Sequence, residues 1–186
     1  MIRDVTEEDA EAIAAIYAHH VAHGTASYDT VAPSVDQTRA KIRRIIDANW
    51  PFIGADQDGS IVGYAYVTQF RDRAAYAWAC EDSIYVHPDW QGRGIGKGLL
   101  QELLRRAEEF GFRQMAAVIG GAEPASIRLH AGCGFQEVGR LHAVGWKHGR
   151  WLDSVYMQIA LGEGSSALPN IWTAGRSSPN EARPPS

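Results

Sequence analysis

The sequence predicts a single α/β domain that is followed by a polar tail. Apolar stretches with helical spacing alternate with short extended apolar runs, and this alternation favours the α/β class. Hydrophobic residues make up 45% of the 186 residues, which is enough for one buried core. The domain is expected to span residues 1–161. Residues 162–186 are rich in Gly, Ser, Pro, Asn and Arg, and this composition predicts a disordered tail.

Two amphipathic helices are predicted in the first 50 residues. The first begins after Thr6, the predicted N-cap, with Asp9 at the acid position of a capping box, and its apolar residues recur at helical spacing as far as Val21. The second is predicted over residues 35–48, where isoleucines have the same spacing. Pro51 marks its end, because the residue before a proline avoids the helical region.

Strands and two further helices are predicted for the rest of the domain. Residues 52–55 and 61–67 are predicted strands, joined by a turn that contains Gly59. A leucine-rich stripe predicts a long helix that ends at Gly111. The remaining predictions are extended segments at 76–86, 115–119, 136–144 and 151–161, with a short helix at 125–131.

Charge and cysteine content exclude several classes of function. The formal net charge is −4, so we expect neither nucleic acid nor an anionic membrane as the main partner. Cys80 and Cys133 lack the spacing of a disulfide framework or a thiolate zinc site, and a reducing cytoplasm is the expected location. The first residues do not have the pattern of a signal peptide, and no apolar stretch is long enough for a membrane span.

The stretch VHPDWQGRGIGKGLL, residues 86–100, places glycines at alternate positions directly before the predicted long helix. Glycine allows a ligand to approach the backbone closely, and a helix N-terminus offers free N–H groups to an anion. A Walker A loop is excluded because Gly96-Lys97 is followed by Gly98 instead of Ser or Thr. The dinucleotide fingerprint is excluded because its third glycine would fall at Lys97 or Leu99.

The remaining pattern, Gln91-x-x-Gly94-x-Gly96 between a strand and a helix, resembles the pyrophosphate-binding loop of the GNAT superfamily of N-acetyltransferases. In that family the loop's backbone N–H groups hold the diphosphate of acetyl-CoA. A helix N-terminus and a glycine-rich loop suit such an anion. The resemblance implies acetyl-CoA as cosubstrate, no metal, and a binding set made of Tyr85, Val86, Gln91, Gly92, Arg93, Gly94, Ile95, Gly96, Lys97, Glu123 and Ser126.

Further segments resemble one branch of that superfamily, the phosphinothricin and methionine sulfoximine N-acetyltransferases. The branch has a mixed, mostly antiparallel sheet that is flanked by helices and splays apart at the cofactor site, where an amino-acid-like substrate supplies its amine. The resemblance also implies a homodimer, with residues 145–153 near the other subunit. It covers residues 1–160, and the segments that carry it are 81–88, 117–120, 126–130, 134–135 and 145–153.

Two residues match the family's catalytic positions. An amine must be neutral to attack a thioester, and Glu81 matches the general base, with burial expected to raise its pKa; the alternative is a surface carboxylate. His130 matches a histidine near the thioester that could orient the substrate or share in proton removal. A hydrogen-bonded structural histidine is the alternative. Cys80 is expected in the core, because neighbouring strand residues face opposite sides.

One position departs from the family's pattern. Members usually carry an asparagine where this chain has Glu123, and the asparagine amide contacts the pantetheine arm of the cofactor. A carboxylate accepts hydrogen bonds but cannot donate them at neutral pH. The departure puts that one contact in question, whereas Ser126 is retained and is expected in the first turn of the short helix.

The predicted substrate site uses arginine to bind an acidic group. The guanidinium fork binds a carboxylate or phosphinate in a bidentate way, so Arg71 is the first candidate and Arg73 the second. In the resembling family this loop borders the substrate mouth, and Tyr28 and Tyr76 are expected to shape the pocket. The alternative is that both arginines are solvated loop charges, and Lys147 or Arg150 would then be the next candidate.

The resemblance predicts acetyl transfer to the primary amine of a small molecule such as phosphinothricin, methionine sulfoximine or methionine sulfone. Two alternatives stay open: acetylation of a protein N-terminus, a polyamine or an aminoglycoside, and a non-catalytic module that binds acetyl-CoA as a regulator. No metal site is expected, because the spacing of His19 and His23 lacks a third ligand. Four tryptophans are expected in the core or at an interface: Trp78, Trp90, Trp146 and Trp151.

Overall fold

The computed structural model describes residues 1–168, and a seven-stranded sheet runs through this part of the chain. The strand order is β1-β2-β3-β4-β5-β7-β6, with antiparallel pairing everywhere except between β4 and β5. This arrangement confirms the predicted mixed, mostly antiparallel α/β class. The strands are β1 Ile2–Asp4, β2 Phe52–Gln57, β3 Ser60–Gln69, β4 Ala79–Val86, β5 Gln114–Gly120, β6 Gln136–Lys147 and β7 Arg150–Ala160.

Four α-helices within residues 1–168 flank the sheet, and a capping box defines where the second of them begins. Ser34 caps the second helix through a capping box: its Oγ accepts from the N–H of Gln37 at 3.2 Å, and its own N–H donates to the Gln37 side chain at 2.8 Å. At the first helix the N–H of Thr6 donates to Asp9 at 2.8 Å, but this predicted box opens a short 3-10 turn that precedes the helix. The helices are α1 Ala10–His23, α2 Val35–Asp47, α3 Ile95–Phe110 and α4 Pro124–Ala131.

The two faces of the sheet have separate cores. On β3, Tyr64 and Tyr66 pack with α1 and α2, whereas Ala65 and Val67 pack with α3, because successive strand residues face opposite sides. The leucine stripe of α3 is buried as its helical spacing predicts, through Leu99, Leu100 and Leu103. Helix α3 is thus fixed against the strands that carry the candidate site. No helix within residues 1–168 combines the length and apolar character needed to cross a bilayer.

The parallel pair β4–β5 separates soon after it begins. Register pairs join residues 79–81 of β4 to residues 114–116 of β5. Beyond Glu81, β4 continues to Val86 and β5 continues to Gly120 without further pairs between the two described strands. We call the space between residues 82–86 and 117–120 the split. It leaves backbone groups of β4 free to contact a ligand.

Several boundaries differ from the sequence-based expectations. Strand β1 was not predicted, because three residues carry too little pattern, and its partner β2 lies about 50 residues away in the chain. The extended run predicted from residue 76 begins at Ala79, since Ala74–Tyr76 forms a 3-10 turn. The first part of the predicted tail, residues 162–168, forms turns, and Arg113 donates to the Leu168 carbonyl there at 3.4 Å. The rest of the predicted tail lies outside the described residues.

Candidate active site

The glycine-rich loop ends at the N-terminus of α3 with a backbone that only glycine adopts easily. Gly92 and Gly94 have φ values of +72° and +81°, and a Cβ atom on either would meet no atom within 4 Å. Both glycines therefore border open space, and any side chain there would occupy the space available to a ligand. The first N–H groups of α3, from Ile95 onward, have no acceptor within the helix. Loop and helix together form a cradle for an anion.

The third glycine of the loop has a different task, because it allows close packing. A Cβ on Gly96 would lie 3.4 Å from Cδ2 of Leu129 on α4 and 3.8 Å from Cγ2 of Val86 on β4. The bare backbone of Gly96 brings the start of α3, the end of β4 and α4 together beside the split. Next to this contact, the Arg93 guanidinium lies 4.7 Å from the ring centre of Trp90, and Lys97 occupies the first turn of α3.

The end of β4 is held by a histidine that the sequence analysis did not select. The Nε2–H of His20 donates to the carbonyl of Val86 at 2.9 Å, and the Gln91 side chain approaches the same carbonyl at 3.5 Å. Burial lowers the pKa of His20, so the ring is neutral at neutral pH and keeps its donor role. Beside it, Tyr85 packs edge-on against Tyr17 with ring centres 5.0 Å apart. These contacts fix Tyr85 and Val86 where β4 meets the glycine loop.

The carboxylate of Glu81 lies at the point where the split opens. Its side chain is 30% exposed, and its Oε2 is 3.5 Å from Nη1 of Arg71. Burial raises the pKa of Glu81, the charge of Asp82 raises it further, and Arg71 opposes the shift. A carboxylate with a raised pKa, beside solvent and at the head of the split, has the properties of a general base.

The loop after β3 brings Arg71 to Glu81 but leaves Arg73 at the surface. The Gln69 side chain donates to the carbonyls of Arg71 and Arg73 at 2.6 and 3.0 Å, which fixes the loop backbone. Arg71 also donates to the Phe70 carbonyl at 2.8 Å and lies over the ring of Phe70. Tyr76 packs edge-on against the same ring and is 38% exposed. The guanidinium of Arg71 is therefore held near Glu81 and remains half exposed.

Tyr28 joins the loop between α1 and α2 to the far side of the sheet. Its hydroxyl donates to the carbonyl of Asp153 at 2.8 Å, and its ring occupies the space where a Cβ on Gly145 would lie. Lys147, which the sequence analysis held in reserve as an anion-binding residue, is 5% exposed, and its Nζ donates to the Ser27 carbonyl at 2.7 Å. Burial lowers the pKa of Lys147. In this structure the lysine holds the loop instead of facing solvent.

Helix α4, which follows β5 in the chain, carries the remaining residues of the predicted site. Glu123 is at the N-cap of α4. Ser126 is in its first turn, as predicted. His130 is buried, its Nδ1 bonds to the Ser126 carbonyl at 2.8 Å, and its Nε2 bonds to Asp82 at 3.1 Å. Both ring nitrogens therefore have partners within the protein, which favours the structural alternative for His130.

Other residues singled out from the sequence lie apart from this constellation. Cys80 is fully buried and burial raises the pKa of its thiol, which confirms the core assignment. The rings of His19 and His23 are 4.8 Å apart on α1, and the described residues contain no group of three side chains that could hold a metal. Trp146 and Trp151 are 58% and 64% exposed, so they lie outside the core, and of the two expected locations the interface stays open for them.

The split sheet, the glycine cradle and the carboxylate at its head define an acyl-CoA-dependent transferase fold, and the comparison with known families agrees. Residues 8–135 match the model of the Acetyltransferase (GNAT) family, so the chain belongs to that family.

Within this family, the chain is similar in sequence and structure to acetyltransferases of two named kinds. The chain is 46% identical over 169 residues to a phosphinothricin N-acetyltransferase of Alcaligenes faecalis, covering 90% of this chain and 86% of that one. It is 35% identical to an L-methionine sulfoximine/L-methionine sulfone acetyltransferase of Salmonella typhimurium, over 87% of this chain and 95% of the other. A crystal structure of a phosphinothricin acetyltransferase from Sinorhizobium meliloti with AcCoA superposes with a TM-score of 0.90, at 45% identity, over 91% of this chain and 92% of that one.

Replacement of Gly94 by valine tests the cradle. The side chain would project into the open space beside the α3 N-terminus, so the affinity for acetyl-CoA should fall at least about 100-fold in calorimetry, the scale of a lost multidentate anion site. Gly111→Val is the matched control, because Gly111 has a φ of +111°, also faces open space, and lies at the C-terminus of α3, the end opposite to the cradle. Equal affinities of the two folded variants would show that the loop does not hold the cofactor.

Proposed function

We propose that this protein transfers the acetyl group of acetyl-CoA to the primary amine of a small amino-acid-like molecule. The observation that carries the proposal is the half-buried Glu81 carboxylate, at the head of the split and 3.5 Å from Arg71. A proton acceptor and an anion-binding guanidinium are thus paired, which matches a substrate with an amine and an acidic group on neighbouring carbons. The named relatives act on phosphinothricin and methionine sulfoximine or sulfone, and these compounds have that pattern.

The residues of the cradle fit acetyl-CoA. Acetyl-CoA supplies an activated acetyl thioester, which a neutral amine can attack. The backbone of Gly92 to Lys97 would hold its pyrophosphate, with Gln91, Arg93 and Lys97 beside it, and the end of β4, at Tyr85 and Val86, would contact the part that enters the split. Glu123, at the N-cap of α4, and Ser126, in its first turn, would supply further contacts.

The protein's own groups prepare the amine. An ammonium has no lone pair, so Glu81 accepts a proton from it, directly or through water. Arg71 binds the acidic group of the substrate and aligns the amine with Glu81. Arg73, Tyr28 and Tyr76 would border the mouth of the site, and His130 would support α4 through its contact with Asp82.

We also propose a homodimer in the cytoplasm, formed through the β6–β7 hairpin. Large apolar side chains are exposed along this hairpin: Val138, Leu141, Val144, Trp146 and Trp151. An exposed apolar surface of this kind is typical of protein interfaces. The net charge and the free cysteines support a small-molecule partner and a reducing compartment instead of nucleic acid or membrane.

Sedimentation equilibrium tests the dimer. The wild type should sediment at twice the monomer mass at micromolar concentration, and Trp151→Glu should weaken self-association at least about tenfold, because a buried unpaired charge disfavours an apolar interface. Val31→Glu, at an 80% exposed apolar residue of the α1–α2 loop, is the control. A monomeric wild type would refute the dimer.

Replacement of Glu81 by glutamine keeps the shape and removes the proton acceptor. Because a base acts when deprotonated, kcat/KM of the wild type should rise with pH through the raised pKa of Glu81. Glu81→Gln should lose this rise, and its turnover at neutral pH should fall at least about 100-fold. The deficit should shrink at high pH, where the free amine deprotonates unaided. Glu11→Gln, at an exposed α1 position, serves as control; full activity of Glu81→Gln at pH 7 would exclude the role.

A panel of amines tests the substrate class and the part played by Arg71. Release of free thiol from acetyl-CoA should be fastest with phosphinothricin, methionine sulfoximine or methionine sulfone, and slow with a polyamine, an aminoglycoside or a peptide N-terminus. Arg71→Ala should raise KM for the amino acids at least about tenfold, the scale of one lost charged contact, and leave KM for acetyl-CoA unchanged.

Two comparisons complete this test. Arg71→Lys keeps the charge but loses the fork, so it should recover only part of the lost affinity. Removal of Arg71 also takes a cation away from Glu81, and the acid limb of the pH profile should move to higher pH. If Arg71→Ala and Arg73→Ala both leave amino-acid kinetics unchanged, the acidic group binds elsewhere.

A further inference from the structure

A buried pair of side chains connects the two sides of the split. Asp82 is the first residue of β4 beyond the register pairs with β5, and His130 is on α4, which follows β5 in the chain. The Nε2 atom of His130 lies 3.1 Å from Oδ2 of Asp82, and both side chains are at most 3% exposed. The contact therefore links β4 to α4 next to the closed end of the split.

The hydrogen bonds of His130 indicate that this pair shares a proton. The Nδ1 atom lies 2.8 Å from the Ser126 carbonyl and 3.3 Å from the Ser126 Oγ. The shorter contact is with the carbonyl, which can only accept, so it assigns a hydrogen to Nδ1. A neutral imidazole with its hydrogen on Nδ1 has only a lone pair at Nε2, and the carboxylate of Asp82 also offers only lone pairs. A proton must therefore lie between Nε2 and Oδ2. The pair is an imidazolium with a carboxylate, or an imidazole with a carboxylic acid.

The surroundings of the pair give it little other support. Oδ1 of Asp82 is buried and has no hydrogen-bond partner among the described residues. The nearby titratable groups are Cys80 and Glu81 on β4 and Cys133 after α4, and burial raises the pKa of both thiols, so they remain neutral. The ring of Phe135 packs edge-on against His130 at 5.0 Å. A buried ion pair with an unsatisfied oxygen is a poor source of stability, which favours a positional role.

We propose that Asp82 is a positioning residue whose shared proton with His130 holds α4 and β4 at the separation that acetyl-CoA needs to enter the split. The proposal rests on the proposed function only for the identity of the cofactor. Asp82 was not selected from the sequence, and it acts through His130 instead of touching the reacting atoms.

Loss of the shared proton should open the contact. Burial lowers the pKa of His130, but the hydrogen bond and charge of Asp82, together with the Ser126 carbonyl, raise it overall. The pair's contribution to stability is therefore complete below the ordinary histidine pKa and is lost as the pH rises through the raised value. Above it, as long as the Ser126 carbonyl keeps the hydrogen on Nδ1, lone pairs of Nε2 and Oδ2 face each other and repel.

Calorimetry with acetyl-CoA alone, from pH 6.5 to 9.5, tests the proposal without an acceptor amine. The wild type should lose affinity about tenfold toward the alkaline end, the scale of one charge-assisted hydrogen bond. Asp82→Asn should bind as the wild type does at neutral pH and keep that affinity at pH 9.5, because the Asn amide donates to a neutral Nε2 and no shared proton is needed. Asp58→Asn, in the remote β2–β3 turn, should follow the wild-type profile.

A second variant and a second measurement distinguish an effect on the position of α4 from an effect on the stability of the fold. Asp82→Ala removes the contact and should bind acetyl-CoA more weakly at every pH. The free energy of unfolding, measured in urea without ligand, should fall with alkaline pH in the wild type and less so in Asp82→Asn. Parallel affinity profiles of wild type and Asp82→Asn would overturn the proposal, as would a pH effect on unfolding without one on affinity. Failure of the amine panel alone would instead refute the proposed acceptor.

Discussion

The early separation of β4 from β5 is the constraint on which the rest of the structure depends. Only three register pairs hold this parallel pair together, and the free edge of β4 beyond Glu81 would carry unpaired backbone groups unless a ligand contacts them. The main parts of the site lie around the point where these two strands separate. The glycine cradle follows the open end of β4, α4 lines the side of β5, and Glu81 marks the point where the strands diverge.

Two charged contacts on adjacent residues of β4 serve opposite faces of the sheet. Glu81 points toward solvent and Arg71, whereas Asp82 points into the core and meets His130. The charge of Asp82 contributes to the raised pKa of Glu81, and Arg71 counteracts it. The acidic group of a substrate that engages Arg71 weakens that counteraction, whereas the substrate's ammonium beside Glu81 acts on its pKa in the opposite direction.

Local patterns predicted the parts of the site that depend on neighbouring residues. The glycine loop, the start of α3 and the strand that carries Glu81 all follow from short-range spacing, and they were placed correctly. The contacts that hold these parts in position were missed, because their partners are distant in sequence. His20 reaches Val86 across 66 residues, His130 reaches Asp82 across 48, and Lys147 reaches Ser27 across 120. The one sequence feature that could have indicated such a contact is a charged residue within a strand, such as Asp82 in β4, because a buried charge needs a partner.

A crystal structure of the protein with acetyl-CoA tests most directly whether the split and the α3 N-terminus form the cofactor site. The pyrophosphate oxygens should lie about 3 Å from backbone N–H groups of residues 94–97, and the thioester should lie in the split beside β4 and near Glu81. Binding of the pyrophosphate away from the α3 N-terminus, or of the acetyl group outside the split, would contradict the assignment of the site.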